Sequence, residues 1–161
     1  MNKSILSIIG LNASLFLSSL CYAGENKVPY PEGYRNWVHV KSMIIKPGHT
    51  LENPFQGIHH IYANEKALQG LKMGKYSDGS VLVFDLLNYI DKDNAIQEGE
   101  RKLVGVMYKN AKQYSNTGGW GFEGFAANSK TERLTSDGGV SCFKCHVPHK
   151  ERDYVHSQLR N

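Results

Sequence analysis

Five residues near the end of the chain, Cys142-Phe143-Lys144-Cys145-His146, combine two thiols, a fixed two-residue gap and an imidazole. This is the spacing of a c-type haem attachment motif. Each thiol forms a thioether with one haem vinyl group, and the next residue then lies where its imidazole reaches the iron. Cys142 and Cys145 are therefore candidate attachment points, and His146 the candidate axial ligand, of one covalently held haem c. Two other chemistries use a Cys-x-x-Cys pair. A thioredoxin-like redox pair wants a βαβ setting, and a zinc site wants a second Cys/His pair at matching spacing. No such second pair stands out, and either reading leaves His146 incidental.

The position of the motif narrows the chemistry. Only fifteen residues follow His146, and none is methionine. A second axial ligand must come from upstream, where Met43, Met73, Met107 and several histidines are candidates, or the iron position is open. An open iron binds diatomic molecules or does chemistry, whereas a capped one mainly shuttles electrons.

The elements that must position these residues read as strands. Trp37 to Ile45 alternates and is rich in β-branched residues, and Ile58 to Tyr62 is a second short strand. Asn64 is a plausible N-cap for a helix over 65–72, stopped by Gly74. Ser77-Asp78-Gly79 turns the chain into a third strand over 80–87. Residues 91–98 read as a polar connection, 101–108 as a fourth strand and 120–126 as a fifth. The glycines of the fifth suggest a bulge or a close approach by backbone or haem. A short terminal helix is expected after His149. Together these predict an α+β domain, mainly an antiparallel β-sheet with a few short helices.

Composition excludes more than it specifies. The net charge of +4 is small and scattered, which argues against nucleic acid or a membrane surface as partner. Met1-Asn2-Lys3, the apolar stretch from Ile5 to Leu20 and Cys21-Tyr22-Ala23 read as a secretory signal peptide over residues 1–23. Cleavage would remove Cys21, leave both remaining thiols to haem and place residues 24–161 in the periplasm as one domain with no membrane anchor. Haem attachment of this kind also occurs outside the cytoplasm, so signal and motif agree.

Beyond the motif, several stretches resemble the cytochrome P460 family. They are Tyr34-Arg35-Asn36-Trp37-Val38, residues 55–64 (FQGIHHIYAN), residues 78–86 (DGSVLVFDL), Gly118-Gly119-Trp120-Gly121-Phe122 and Cys142 to His146. The resemblance implies a mostly β, homodimeric domain with one c-type haem whose iron is five-coordinate through His146. Within the family, cytochrome P460 itself oxidises hydroxylamine and carries a lysine cross-linked to the haem in the strand after the Asp-Gly turn. Phe84 occupies that position here. In this the chain is similar to the cytochrome c′-beta branch, whose second pocket phenylalanine matches Phe55.

The resemblance thus implies a distal pocket walled by Phe55 and Phe84, suited to nitric oxide and carbon monoxide. Such a wall gives bound dioxygen no hydrogen-bond donor, and a dry pocket without a base disfavours hydroxylamine oxidation, which must shed protons. The function expected is nitric oxide sequestration or detoxification. A hydroxylamine-oxidising enzyme, cross-linked through Lys41 or Lys75, is the alternative. An electron carrier with a protein sixth ligand is a third reading, and any redox partner is unspecified. His59 and His60 alternate to opposite faces; His59 is a possible secondary pocket residue and proton relay, with a place on the sheet surface the simpler expectation. Glu132 and Asp137 lie where a carboxylate base would be carried, although a turn role is simpler for both, and Arg133 is a candidate partner for a haem propionate.

Overall fold

Residues 27–160 are described by the computed structural model. The expected signal peptide, residues 1–23, lies outside them. Five strands form one sheet: β1 (Val38–Ile45), β2 (Gly57–Ala63), β3 (Val81–Lys92), β4 (Ala95–Lys109) and β5 (Trp120–Ala126). Their order in the sheet is β1-β2-β3-β4-β5, each antiparallel to the next. With three short helices, α1 (Glu52–Phe55), α2 (Glu65–Met73) and α3 (Val140–His146), the domain has the expected α+β class.

Alternation along each strand sends successive side chains to opposite faces, and paired residues share a face. One row across the sheet is Ile61, Phe84, Gly105 and Gly124; the neighbouring row, on the other face, is His60, Asp85, Val104 and Phe125. Each face has its own apolar cluster. Ala63, Leu82, Trp120 and Phe122 on the first pack with Ala67 of α2, with Val155, and with Phe143 of α3. On the second, Val83, Val104, Val106 and Phe125 pack against Val28 and Tyr34 from the N-terminal segment.

Asn64 joins α2 to the sheet. Its Oδ1 accepts from the backbone N–H of Ala67, capping the helix, and from that of Val81 at the start of β3. Gly74 ends the helix in the left-handed region.

Two stretches depart from the sequence expectation. Residues 91–98 are the tip of a hairpin, in which β3 runs to Lys92, β4 starts at Ala95, and Asp93 and Asn94 turn between them with φ of 54° and 59°. Two successive positive φ values mark the tight turn that suits a twisted two-strand ribbon. Most of this arm is exposed on both sides, so no apolar alternation marks it as strand. The second departure is α3, which forms over the Cys-x-x-Cys-His segment itself. A 3-10 turn over Val147–Arg152 follows at once, so the helical end begins before His149.

Candidate haem site

The helix α3 places its reactive residues by simple periodicity. Cys142, Cys145 and His146 stand at i, i+3 and i+4, hence on one side of the helix. Cys142 is half-buried against the first-face cluster, and Cys145 is exposed; both are free thiols. Burial pushes the Cys142 thiol pKa up. Asp137 secures the start of the helix, accepting from the backbone N–H groups of Gly139 (3.0 Å) and Ser141 (2.8 Å). Gly139 itself has a φ of 85°, and a Cβ there would come within 2.7 Å of the Phe122 Cβ. The helix is seated on β5 that closely.

His146 is held in one tautomer. Its Nδ1 lies 2.8 Å from the carbonyl oxygen of Tyr154, an acceptor, so Nδ1 carries the proton and Nε2 keeps a free lone pair. A backbone carbonyl on the second ring nitrogen is the usual way a metal-binding histidine is oriented. Burial lowers its pKa to about 4, with neighbouring His156 and His149 acting the same way, so the ring is neutral near pH 7, as ligation requires. The Phe122 ring lies 4.9 Å away, and His156 meets the imidazole edge-on at 4.5 Å. Tyr154 is brought into place by two successive left-handed residues, Asp153 and Tyr154 itself. Its ring packs so close to Gly118 that a Cβ there would fall 2.3 Å from it.

The two candidate pocket phenylalanines do meet. Phe84 of β3 and Phe55 at the end of α1 stand edge to face, ring centroids 5.7 Å apart. Phe84 projects from the same sheet face as Phe122, against which α3 packs. Phe55 is anchored by an unexpected residue. Lys102 Nζ donates to the carbonyl oxygens on either side of it, Pro54 at 3.2 Å and Gln56 at 2.7 Å. His59 is not on the surface, as the sequence suggested. It is 5% exposed, and its ring lies 4.5 Å from that of Phe84. Its Nδ1 is buried without a hydrogen-bond partner, and burial lowers the ring pKa to about 4.

Between Phe84 and the strand that carries α3, the row continues through Gly105 and Gly124. Gly105 leaves its strand without a side chain beside Phe84, whereas Gly124 is covered by Leu134, whose Cβ lies 3.2 Å from where a Cβ of residue 124 would sit. Leu134 borders Gly124 and is 51% exposed, while Val140 and Val147, at either end of α3, are also exposed. Two thiols on one helix side, a neutral imidazole with a free Nε2 and a glycine-floored apolar shelf fit a haem. As half of a zinc site the pair lacks its complement, since among the described residues no three His, Cys, Asp or Glu side chains gather to hold a metal.

The remaining candidates divide. Asp137 is the helix anchor described above, and Glu132 is exposed, its backbone N–H donating to Ser129 Oγ. Arg133 is not directed toward a haem propionate; it donates to Glu123 Oε2 at 2.8 Å and to the Val28 carbonyl oxygen at 2.9 Å, on the second face. Lys41 shares a row with Ile61 and Phe84, two strands from the phenylalanine, whereas Lys75 lines a shallow depression with Tyr76, Lys150 and Asp153. Met107 is packed in the first-face cluster, and Met73 is 71% exposed. Sequence reasoning missed Gly105, which was legible as an isolated glycine inside a strand. It also missed Lys102 and Tyr154, which act on or through backbone carbonyls and leave no side-chain signature.

Residues 31–157 match the family model described as Cytochrome P460. No curated protein matches the chain.

Proposed function

The chain belongs to the cytochrome P460 family, and on that premise we propose that it is a periplasmic gas-binding haem protein of the cytochrome c′-beta kind. Its ligands are nitric oxide and carbon monoxide, and its role is sequestration or detoxification of nitric oxide. The observation that carries this reading is Phe84, set edge to face with Phe55 on the α3-bearing face at the position where a cross-linking lysine would stand.

Cys142 and Cys145 would hold the haem through thioethers, and His146 would bind its iron through Nε2. When bound, the haem supplies an iron with one coordination position for a diatomic ligand. Phe55 and Phe84 exclude water from their side of the shelf and offer no hydrogen bond. Dioxygen bound to iron is polar and profits from a donor, whereas nitric oxide and carbon monoxide depend on one less. Lys102, through the Pro54 and Gln56 carbonyls, keeps Phe55 from swinging clear. Secretion by the signal peptide and assembly as a homodimer belong to the same proposal.

One observation favours hydroxylamine oxidation as a second reading. His59 lies against Phe84 with an unpaired Nδ1, the one imidazole among the described residues that reaches the pocket wall, although the burial that keeps it neutral also makes it a weak base. Optical titration separates the two. The first reading expects a high-spin resting ferric spectrum, uptake of nitric oxide and carbon monoxide, weak dioxygen binding and no hydroxylamine turnover. A low-spin resting spectrum, or a third covalent bond in the mass spectrum of the haem peptide, would overturn it. Hydroxylamine turnover that disappears in His59→Gln would establish the second.

A further inference from the structure

The two rings of the apolar wall are held in very different ways. Phe84 sits in the middle of the sheet, paired with Ile61 on one side and Gly105 on the other, and the buried His59 ring backs it at 4.5 Å. Phe55 stands on the segment between β1 and β2, residues 46–56, most of which is exposed. Neither Phe55 nor Leu51 of that segment joins either apolar cluster.

The polar groups of the segment bond mostly to one another. The backbone N–H of His49 donates to the Lys46 carbonyl oxygen, that of Glu52 to His49, that of Phe55 to Leu51 and that of Gln56 to Glu52. Glu52 Oε2 accepts from the Gly48 N–H, and His49 Nδ1 from that of Leu51. Its hydrogen bonds to the other described residues are the two that Lys102 Nζ donates, to Pro54 at 3.2 Å and to Gln56 at 2.7 Å. A single ammonium therefore ties the segment down, and it does so on both sides of Phe55. Lys102 has a firm base for this. The β3–β4 register passes from Leu86 opposite Leu103 to Leu87 opposite Arg101, which leaves Lys102 as the extra residue of a bulge. Bulges re-aim a side chain in this way. The Lys102 carbonyl oxygen also accepts from the Ala127 N–H at 2.9 Å, fixing its backbone to the sheet. Its side chain borders an open depression of about 260 Å³, shared with Gln56, Asn88 and Tyr89. Water in that depression can hydrate the ammonium once it lets go, so the segment can lift without any packed core being disturbed.

We infer that residues 46–56 form a gate for diatomic ligands, with Phe55 as its moving leaf, Phe84 as its fixed edge and Lys102 as the latch that sets how often it opens. The inference rests on the gas-binding reading above and adds the route and the rate of entry. Lys102 is a positioning residue that acts through Phe55. The same opening serves ligand on its way in and on its way out, so the latch governs both rates in proportion and leaves affinity alone.

Flash photolysis and stopped-flow mixing of carbon monoxide with the haem-loaded ferrous protein test it. Lys102→Met keeps the aliphatic stem and removes the charged donors, whose hydrogen bonds are the stronger kind. It is expected to raise the association and dissociation rates about tenfold each and to hold the equilibrium constant within about twofold. Phe55→Ala removes the leaf and is fast by itself. Adding Lys102→Met to it changes neither rate further, because nothing is left to latch, whereas a general loosening of the fold would add its effect again. An unchanged association rate in Lys102→Met, a full further step in the Phe55→Ala background, or an affinity change carried by one rate alone would overturn the gate. A wild-type protein that takes up no carbon monoxide sinks the gas-binding reading itself, and is thereby told apart from those three results.

Discussion

Asp85 and Glu123, on the second face of the sheet, are buried carboxylates with a full set of partners. Asp85 accepts from the Tyr34 hydroxyl at 2.8 Å and from Arg101 Nε at 2.7 Å, with Arg35 Nη2 at 3.2 Å. Glu123 accepts from Arg133, from the Thr135 hydroxyl and from the Gly124 backbone. The first face is built otherwise. Its one buried ion pair among the described residues, Lys109 with Asp153, sits at the edge beside Trp120, and the rest carries the bare Gly105, exposed Leu134 and an imidazole with a buried, unpaired nitrogen. A buried charge left without a partner costs several kcal/mol, so these two carboxylates have to be paired for the chain to fold. The first face leaves apolar surface and an orphan nitrogen uncovered, which is what a cofactor shelf requires. One face holds the fold, and the other holds the chemistry.

The sharpest break in this contrast comes at α3. Cys142→Ala and Cys145→Ala combined with His146→Ala are expected to abolish covalent haem and iron ligation entirely, read by haem staining and the Soret band. The sheet should survive, because its cooperative network lies on the other side. The reverse experiment is Asp85→Ala. It strands the Arg101 guanidinium, whose side chain is 12% exposed, and should cost about 3–5 kcal/mol in denaturant unfolding while leaving carbon monoxide binding to the folded fraction unchanged.

Gly105→Leu sharpens the contrast without touching a charge. A Cβ at Gly105 would sit 3.4 Å from that of Phe84, an ordinary contact, so Gly105→Ala is expected to be tolerated. The longer leucine occupies the shelf, and haem loading per folded protein should fall severalfold. The smallest effect expected is that of pH on His59. Its folded pKa of about 4 lies below the ordinary value near 6.5, so the unfolded chain takes up the proton first as pH falls. Its contribution is full above about pH 6.5 and is lost as pH falls toward 4. Unfolding of the haem-loaded protein should therefore weaken by about 1–2 kcal/mol between pH 7 and 5, and His59→Phe should remove that part of the slope.

Local residue types determined the haem motif, the Asn64 cap and helix α2, and the apolar run of β3, because capping and periodicity act within a few residues. They also marked Phe84 and Phe55, through resemblance rather than spacing. Local pattern failed where neither face of a segment is covered, as in the 91–98 hairpin, and where a backbone group does the work, as Tyr154 does for His146. What only the tertiary structure decided was which residues share a row across the sheet. The burial of His59 behind Phe84, the bare Gly105 beside it and the aim of Lys102 at the Pro54 and Gln56 carbonyls all depend on register between strands distant in sequence. A shift of one residue in that register would send each of these side chains to the opposite face.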